Sequence, residues 1–215
     1  QTQQATTTYM LPCALLPLVQ GPLTDALGRR PVVLGGLLVY AAASVACVFA
    51  PSYGALLTFR GLQGMSAGVG MAVGRAIVRD LHEGPEAQRL MSTITMIFGV
   101  APALAPVIGG WIHVLLGWRS VFGFMVLIGV LLVIVSYLKL PETHPPDRRV
   151  ALHVGELAGT VRTIASNRVF MLLALTTGAN LATILMFIGA APAIVLKHWG
   201  LGGTDFAWLF LPVII

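Results

Sequence analysis

Arg60 is the residue of this chain whose position is hardest to explain by packing alone. It stands about seven residues into an apolar stretch, residues 53–78, where an arginine costs up to roughly 2.5 to 3.5 kcal/mol on membrane-insertion scales, less away from the bilayer centre. A charge so placed faces water or a partner. On a helical wheel Arg60, Gly61, Gly64, Gly68, Met71, Arg75 and Arg79 fall within about 100° of one another, a stripe small in its middle and cationic at both ends. Glycines at this spacing let a second helix approach closely, and Gln63 beside the arginine can share its hydrogen bonds. The stripe predicts a guanidinium facing a solute cavity, with Met71 on the same wall. The competing reading is an arginine snorkelling to the outer headgroups.

Few other residues have comparable potential. Ala101, Pro102, Ala105, Pro106 and Gly109 form a second small-residue face on the next apolar stretch, and its prolines remove backbone donors, so a kink or a close crossing is expected there. A purely structural role is the alternative. His113, near the outer end of that stretch, reads as an interfacial histidine and not as a proton relay. Thr6, Thr7, Thr8 and Tyr9 mark a polar outer half of the opening span, and Asn180 interrupts a later one, where an amide serves either as a solute contact or as interhelical glue. Met96, Phe98, Met186 and Phe187 supply apolar surface for a pocket, for lipid or for the core. The substrate-cavity candidates are thus Tyr9, Met71, Asn180 and Phe187.

Absences narrow the chemistry. No Asp or Glu lies at the centre of an apolar stretch, so a carboxylate proton carrier is not among these segments. Phosphate-loop, zinc-helix and nucleophile-elbow motifs do not occur, which predicts neither ATP use nor catalysis, and neither cofactor nor metal. The two cysteines, Cys13 and Cys47, each sit inside an apolar run and read as small core residues.

Residues placed this way need a bilayer around them. Of the 215 residues, 57% are hydrophobic and 10% charged, against roughly a quarter charged in an ordinary soluble domain. About 20 apolar residues at 1.5 Å rise cross a hydrocarbon core of about 30 Å. Uncharged stretches of that order occur between Arg30 and Arg60, and over residues 90–118, 120–138 and 169–196. With residues 6–20 and 53–78 they make six predicted spans, and a further one begins at Phe206. The chain reads as a piece of a longer protein. Ten of its 13 Lys and Arg fall in alternate connections, which orients those loops, including residues 21–31, toward the cytoplasm and explains the net charge of +5 without nucleic acid. Residues 140–167 form a linker, within which Val150, Val154, Leu157, Val161 and Ile164 recur at intervals of four and three, the pattern of an interfacial amphipathic helix.

The first inner connection reads Gly21-Pro22-Leu23-Thr24-Asp25-Ala26-Leu27-Gly28-Arg29-Arg30-Pro31. It closely resembles the G-x-L-x-D-R-x-G-R-R signature between the second and third helices of the major facilitator superfamily, with Ala26 where the family has an arginine. Arg60-x-x-Gln63-Gly64 resembles the fourth-helix motif of its proton-driven members, and Ala105-Pro106-x-x-Gly109-Gly110 resembles the fifth-helix antiporter motif with alanine for its first glycine. Tyr9-Met10-Leu11, Gly74-Arg75-Ala76-Ile77-Val78-Arg79-Asp80 and Leu140-Pro141-Glu142-Thr143 are similar to the bicyclomycin and chloramphenicol resistance type of drug:proton antiporter.

That resemblance implies an all-α polytopic membrane bundle, a partial major facilitator fold. It assigns residues 1–140 to helices two to six of the N-terminal half, 141–167 to a cytoplasmic linker, and 168–215 to helix seven and part of helix eight. It implies a conformational latch at Gly21, Asp25, Gly28, Arg29 and Arg30, proton coupling at Arg60, Gln63 and Gly64, and a bending and sealing element at Ala105, Pro106, Gly109 and Gly110. A fixed positive charge such as Arg60 would lower the pKa of a neighbouring carboxylate, which the resemblance puts in a first helix preceding this chain. The implied activity is export of small amphipathic compounds in exchange for protons, by a protein that is monomeric when full length and lies in a bacterial inner membrane. An importer or facilitator of the same fold, and a non-transporting membrane scaffold, are the alternatives.

Overall fold

A computed structural model of the chain describes residues 2–150 and 154–197. Two compact units occur, Gln1–Val150 and Ala151–Ile215. The first contains helices α1 (Thr2–Leu15), α2 (Pro17–Leu27), α3 (Arg29–Val48), α4 (Tyr53–Leu81), α5 (Gly84–Leu116) and α6 (Trp118–Lys139), followed by a single 3₁₀ turn at Pro146–Arg148. The second contains α7 (Val154–Ser166) and α8 (Arg168–Lys197). By length and composition α3 and α6 are each apolar enough to cross a membrane, and two bent helix pairs also pass that test.

Both bends have proline chemistry behind them. The opening segment, expected as a span over residues 6–20, is not one continuous helix: Gln4–Leu15 and Pro17–Leu27 pass the test together but meet at 47°. Pro17 has no N–H, so it cannot bond the Cys13 carbonyl, and α2 starts afresh with that proline in its first turn. In α5 the segments Gly84–Pro102 and Val107–Leu116 meet at 41°, which is the kink expected from Pro102 and Pro106. A second correction concerns residues 21–31. They are not an open loop, because α2 runs on to Leu27 and α3 begins at Arg29, leaving Gly28 as the only break. Gly28 has φ +99°, a conformation that disfavours any residue with a Cβ.

Packing within the first unit centres on α4, which lies against α1 and α3, while α3 also packs on α6. Val32, Val69 and Val73 are buried together, with Leu23, Val33 and Ile77 packed against them. Ser52 caps α4 by accepting from the Ala55 N–H at 3.2 Å. In the second unit Asn167 Oδ1 accepts from the N–H groups of Val169 and Phe170, both at 3.1 Å, so it ends α7 and caps α8 in one step. The amphipathic segment expected from residue 150 onward is helical over Val154–Ser166. The hydroxyls of Thr176, Thr177 and Thr183 donate to carbonyls four residues back, which satisfies them within α8 itself.

Candidate functional site

Two clusters hold most of the residues singled out by the sequence. The first surrounds Arg60, which is half-buried on α4. Its guanidinium carbon lies 4.4 Å from the centroid of the Tyr9 ring and 5.8 Å from that of Phe122, so α1 and α6 each offer it an aromatic face. Arg60 Nη1 donates to Gln63 Oε1 at 2.6 Å. Gln63 is fully buried, and its Nε2 in turn donates to Ser44 Oγ at 2.7 Å and approaches Met125 Sδ at 3.5 Å. Ser44 Oγ donates its own hydrogen bond to the Tyr40 carbonyl at 2.7 Å. A buried amide with its hydrogen bonds made is a rigid part of a core, so Gln63 ties α4 to α3 and fixes where the guanidinium points.

The glycines beside Arg60 do not line an open wall, as the stripe led us to expect. They form the seam on which α1 packs. A Cβ at Gly64 would collide with the backbone carbonyl of Tyr9, and one at Gly68 would stand 3.2 Å from the Cys13 carbonyl and 3.0 Å from Pro17. Small residues here exist to bring two backbones together, and the close approach is what sets the Tyr9 ring over Arg60. Met71, further along the same stripe, is 45% exposed.

The second cluster is the α2–α3 junction. Arg29 is buried and donates through Nη1 to Thr24 Oγ1 at 2.6 Å and to Asp25 Oδ1, and through Nε to Asp80 Oδ2 at 3.1 Å. Thr24 donates to the Gly21 carbonyl at 2.7 Å, which joins that glycine to the network. Three elements, α2, α3 and the end of α4, are therefore held by one guanidinium. Arg30 turns the other way, donating to the Tyr137 carbonyl at 2.8 Å with its guanidinium carbon 5.6 Å from the Tyr137 ring.

Glu142 also joins this junction. Burial pushes its carboxyl upward, but the N–H groups of His144, Arg29 and Arg30 and the charge of Arg149 outweigh that and hold it below the usual carboxylate range. Asp25 and Asp80 are the acidic neighbours, and both face Arg29. A carboxyl whose folded pKa is depressed stabilises the fold above its ordinary value near 4.3 and loses that contribution as pH falls through the lowered one. Amide protection at the start of α3, corrected for the intrinsic exchange rate, is expected to hold constant from pH 7 down to about 5 and to fall progressively as the pH drops below about 4, toward the level set by the rest of the junction.

The remaining candidates are dispersed. On α5, Ala105 is exposed, and a Cβ at Gly109 or Gly110 would meet nothing within 4 Å, so this face has no close crossing among the described residues. Asn180 is exposed on α8. The side chains of Pro106 and Phe187 lie outside the described residues, as does the span expected from Phe206. Sequence reasoning did not single out Phe122, Ser44 or Met125; Ser44 and Phe122 had only the signal of a polar or aromatic residue within an apolar span, and Met125 had none. Asp80 and Glu142 stood inside quoted motifs but had no role assigned to them.

Helices of membrane length, bent at prolines and joined at a charged one-residue break, define a polytopic membrane bundle. Residues 1–215, the whole chain, match the Major Facilitator Superfamily, and the chain belongs to that family of membrane transporters. It is 34% identical over 195 residues to the uncharacterized MFS-type transporter YdgK of Bacillus subtilis, covering 90% of this chain and 48% of that protein. The chloramphenicol resistance protein of Pseudomonas aeruginosa is 31% identical over 214 residues, 99% of this chain and 50% of its own. A bicyclomycin resistance protein homolog of Haemophilus influenzae is 26% identical over 215 residues, 100% of this chain and 54% of its own. The chain therefore spans about half the length of the curated relatives it matches. The crystal structure of the human organic anion transporter MFSD10 (TETRAN) superposes with a TM-score of 0.72 at 22% identity, over 98% of this chain and 53% of that one, which shows the shared fold.

Proposed function

We propose that the full-length protein is a secondary transporter that exports small amphipathic compounds in exchange for protons, from a bacterial inner membrane and as a monomer. In this reading residues 1–140 are helices two to six of the N-terminal half, 141–167 the cytoplasmic linker and 168–215 the start of the C-terminal half. Arg60, Gln63 and Gly64 serve proton coupling. Gly21, Asp25, Gly28, Arg29 and Arg30 serve as the latch between alternating states, and Ala105, Pro106, Gly109 and Gly110 as the bending and sealing element. Tyr9, Met71, Asn180 and Phe187 are its substrate contacts.

The observation that carries this reading is the fixed guanidinium. Arg60 is held against Tyr9 and Phe122 by a buried amide, and no Asp or Glu occupies the middle of the predicted spans. A positive charge kept in place at that cost suits a group that must repel a proton from a partner carboxylate in one state and admit it in another. The drug-resistance names of two relatives support the substrate class. Alternating access then consists of one half rocking against the other about a midplane site.

Ethidium efflux from cells expressing the complete protein tests the proposal. Collapsing the proton gradient with a protonophore should slow efflux at least tenfold. A rate that persists unchanged sinks proton exchange, and accumulation in place of efflux would favour an importer.

A further inference from the structure

The stretch after α6, residues 140–150, makes contacts that neither the spans nor the linker reading explains. Helix α3 starts at a glycine with no side-chain cap and no acidic residue in its first turn. Its first N–H is met instead from 113 residues away, where Glu142 Oε1 accepts from the Arg29 N–H at 2.9 Å and from the His144 N–H at 3.0 Å. A carboxylate at a helix N-terminus satisfies an orphan donor and sits favourably against the helix dipole. Val150 donates its N–H to the Asp25 carbonyl at 3.2 Å, one of the orphan acceptors at the end of α2. Thr143 Oγ1 donates at 3.1 Å to Asp80 Oδ2, the same oxygen that receives Arg29 Nε.

The favour is returned. Arg30 reaches from α3 to the Tyr137 carbonyl, an orphan acceptor at the end of α6. Three helix ends are thus capped by residues from one another's continuations. Gly28 shows how tightly the pieces fit, since a Cβ there would stand 2.6 Å from Glu142 Oε2 and 2.8 Å from Arg149 Nη2. Arg149 and Glu142 themselves pair at 3.8 Å.

We infer that residues 140–150 form a splint across the α2–α3 junction, with Glu142 as the positioning residue that keeps Arg29 in register with Asp25 and Asp80. The end of the N-terminal half and the start of the linker are then mechanical parts of the junction. Pulling on the linker strains the cap of α3, and loosening that cap frees Arg29 from Asp80. That the splint governs transport rests on the reading of the junction as a latch; that it holds the junction does not.

Hydrogen exchange on the purified full-length protein separates the two. In E142A the amides of Arg29, Arg30 and Val32 should exchange about fivefold faster or more, as for a lost helix cap, while those of residues 37–47 in the middle of α3 stay unchanged. E142D, which keeps the charge on a shorter arm, should recover part of the protection. Unchanged exchange at the junction overturns the splint, and so does a rise spread evenly along α3, which would mark general destabilisation. In ethidium efflux, E142A should lower the maximal rate at least threefold with the half-saturating dye concentration unchanged, and E142D should restore it in part. A loosened junction with normal efflux overturns its role in transport. A wild-type protein that exports nothing removes the proposed function and leaves the exchange result to decide the splint.

Discussion

Arg60→Ala in the full-length protein is expected to abolish proton-coupled efflux, a loss of about 100-fold or more, equivalent to roughly 2.7 kcal/mol of barrier, while the protein remains folded in the membrane. The guanidinium contributes to stability through its contacts with two aromatic faces, worth about 0.5 to 2 kcal/mol, and through its hydrogen bond to the buried Gln63 Oε1, whose loss costs about 1 to 3 kcal/mol, so the variant is expected to melt lower and still insert. Arg60→Lys should fare almost as badly. A planar fork can lie against Tyr9 and donate to Gln63 at once, as the 4.4 Å and 2.6 Å separations show, whereas an ammonium is a point charge that cannot do both with the same geometry. Efflux rates normalised to the amount of membrane-inserted protein distinguish this from a folding defect. A lysine variant with wild-type coupling would mean that charge alone suffices and the aromatic seat is incidental.

Gly64→Val is expected to have the largest effect on stability. Its Cβ would fall on the Tyr9 backbone carbonyl, and backbone cannot rotate aside as the end of a long side chain can. Either α1 moves off α4 or the seam stays strained, at a cost of about 3 kcal/mol and a fall in melting temperature of several degrees. Gly70→Ala provides the control on the same helix. Nothing lies within 4 Å of a Cβ at that position, so the gain in helix propensity, about 0.8 to 1 kcal/mol, should leave the melting temperature equal or higher. Equal melting of the two variants would contradict the account of the seam.

The helices were legible because uncharged length and apolar periodicity are local properties. All six long segments expected to span the membrane are helical among the described residues, and the amphipathic stretch of the linker became α7. The break at Leu16 was not legible. Pro12, Pro17 and Pro22 all occur nearby, and sequence alone does not say which of them ends a helix and which is accommodated within it. Helix caps were half legible for the same reason. Ser52 and Asn167 act on neighbours within three residues, but the cap of α3 comes from Glu142, and no local pattern joins residues 113 apart. The glycine stripe shows a subtler limit. Its spacing correctly marked a face of close approach, yet the same spacing fits a cavity wall and a packing seam, and only the carbonyls of Tyr9 and Cys13 against Gly64 and Gly68 distinguish them.

Around Arg60 the sequence supplied Tyr9 and Gln63 as separate candidates. Gln63 is one helical turn away and so was readable as a partner. Tyr9 lies on another helix, and its position over the guanidinium depends on how closely α1 approaches α4 at the glycine seam. The result is a charge with little freedom to move, which is what a coupling element needs if protonation elsewhere is to be felt as a change in field and not absorbed by a floppy side chain.

Proton release on substrate binding tests that claim most directly. Ethidium added to the purified full-length protein in weakly buffered detergent solution should acidify the medium in proportion to the protein present, and Arg60→Ala should release nothing while still binding the dye. Dye binding without acidification in the wild type, or equal acidification in the Arg60→Ala variant, would contradict the assignment of Arg60 to proton coupling.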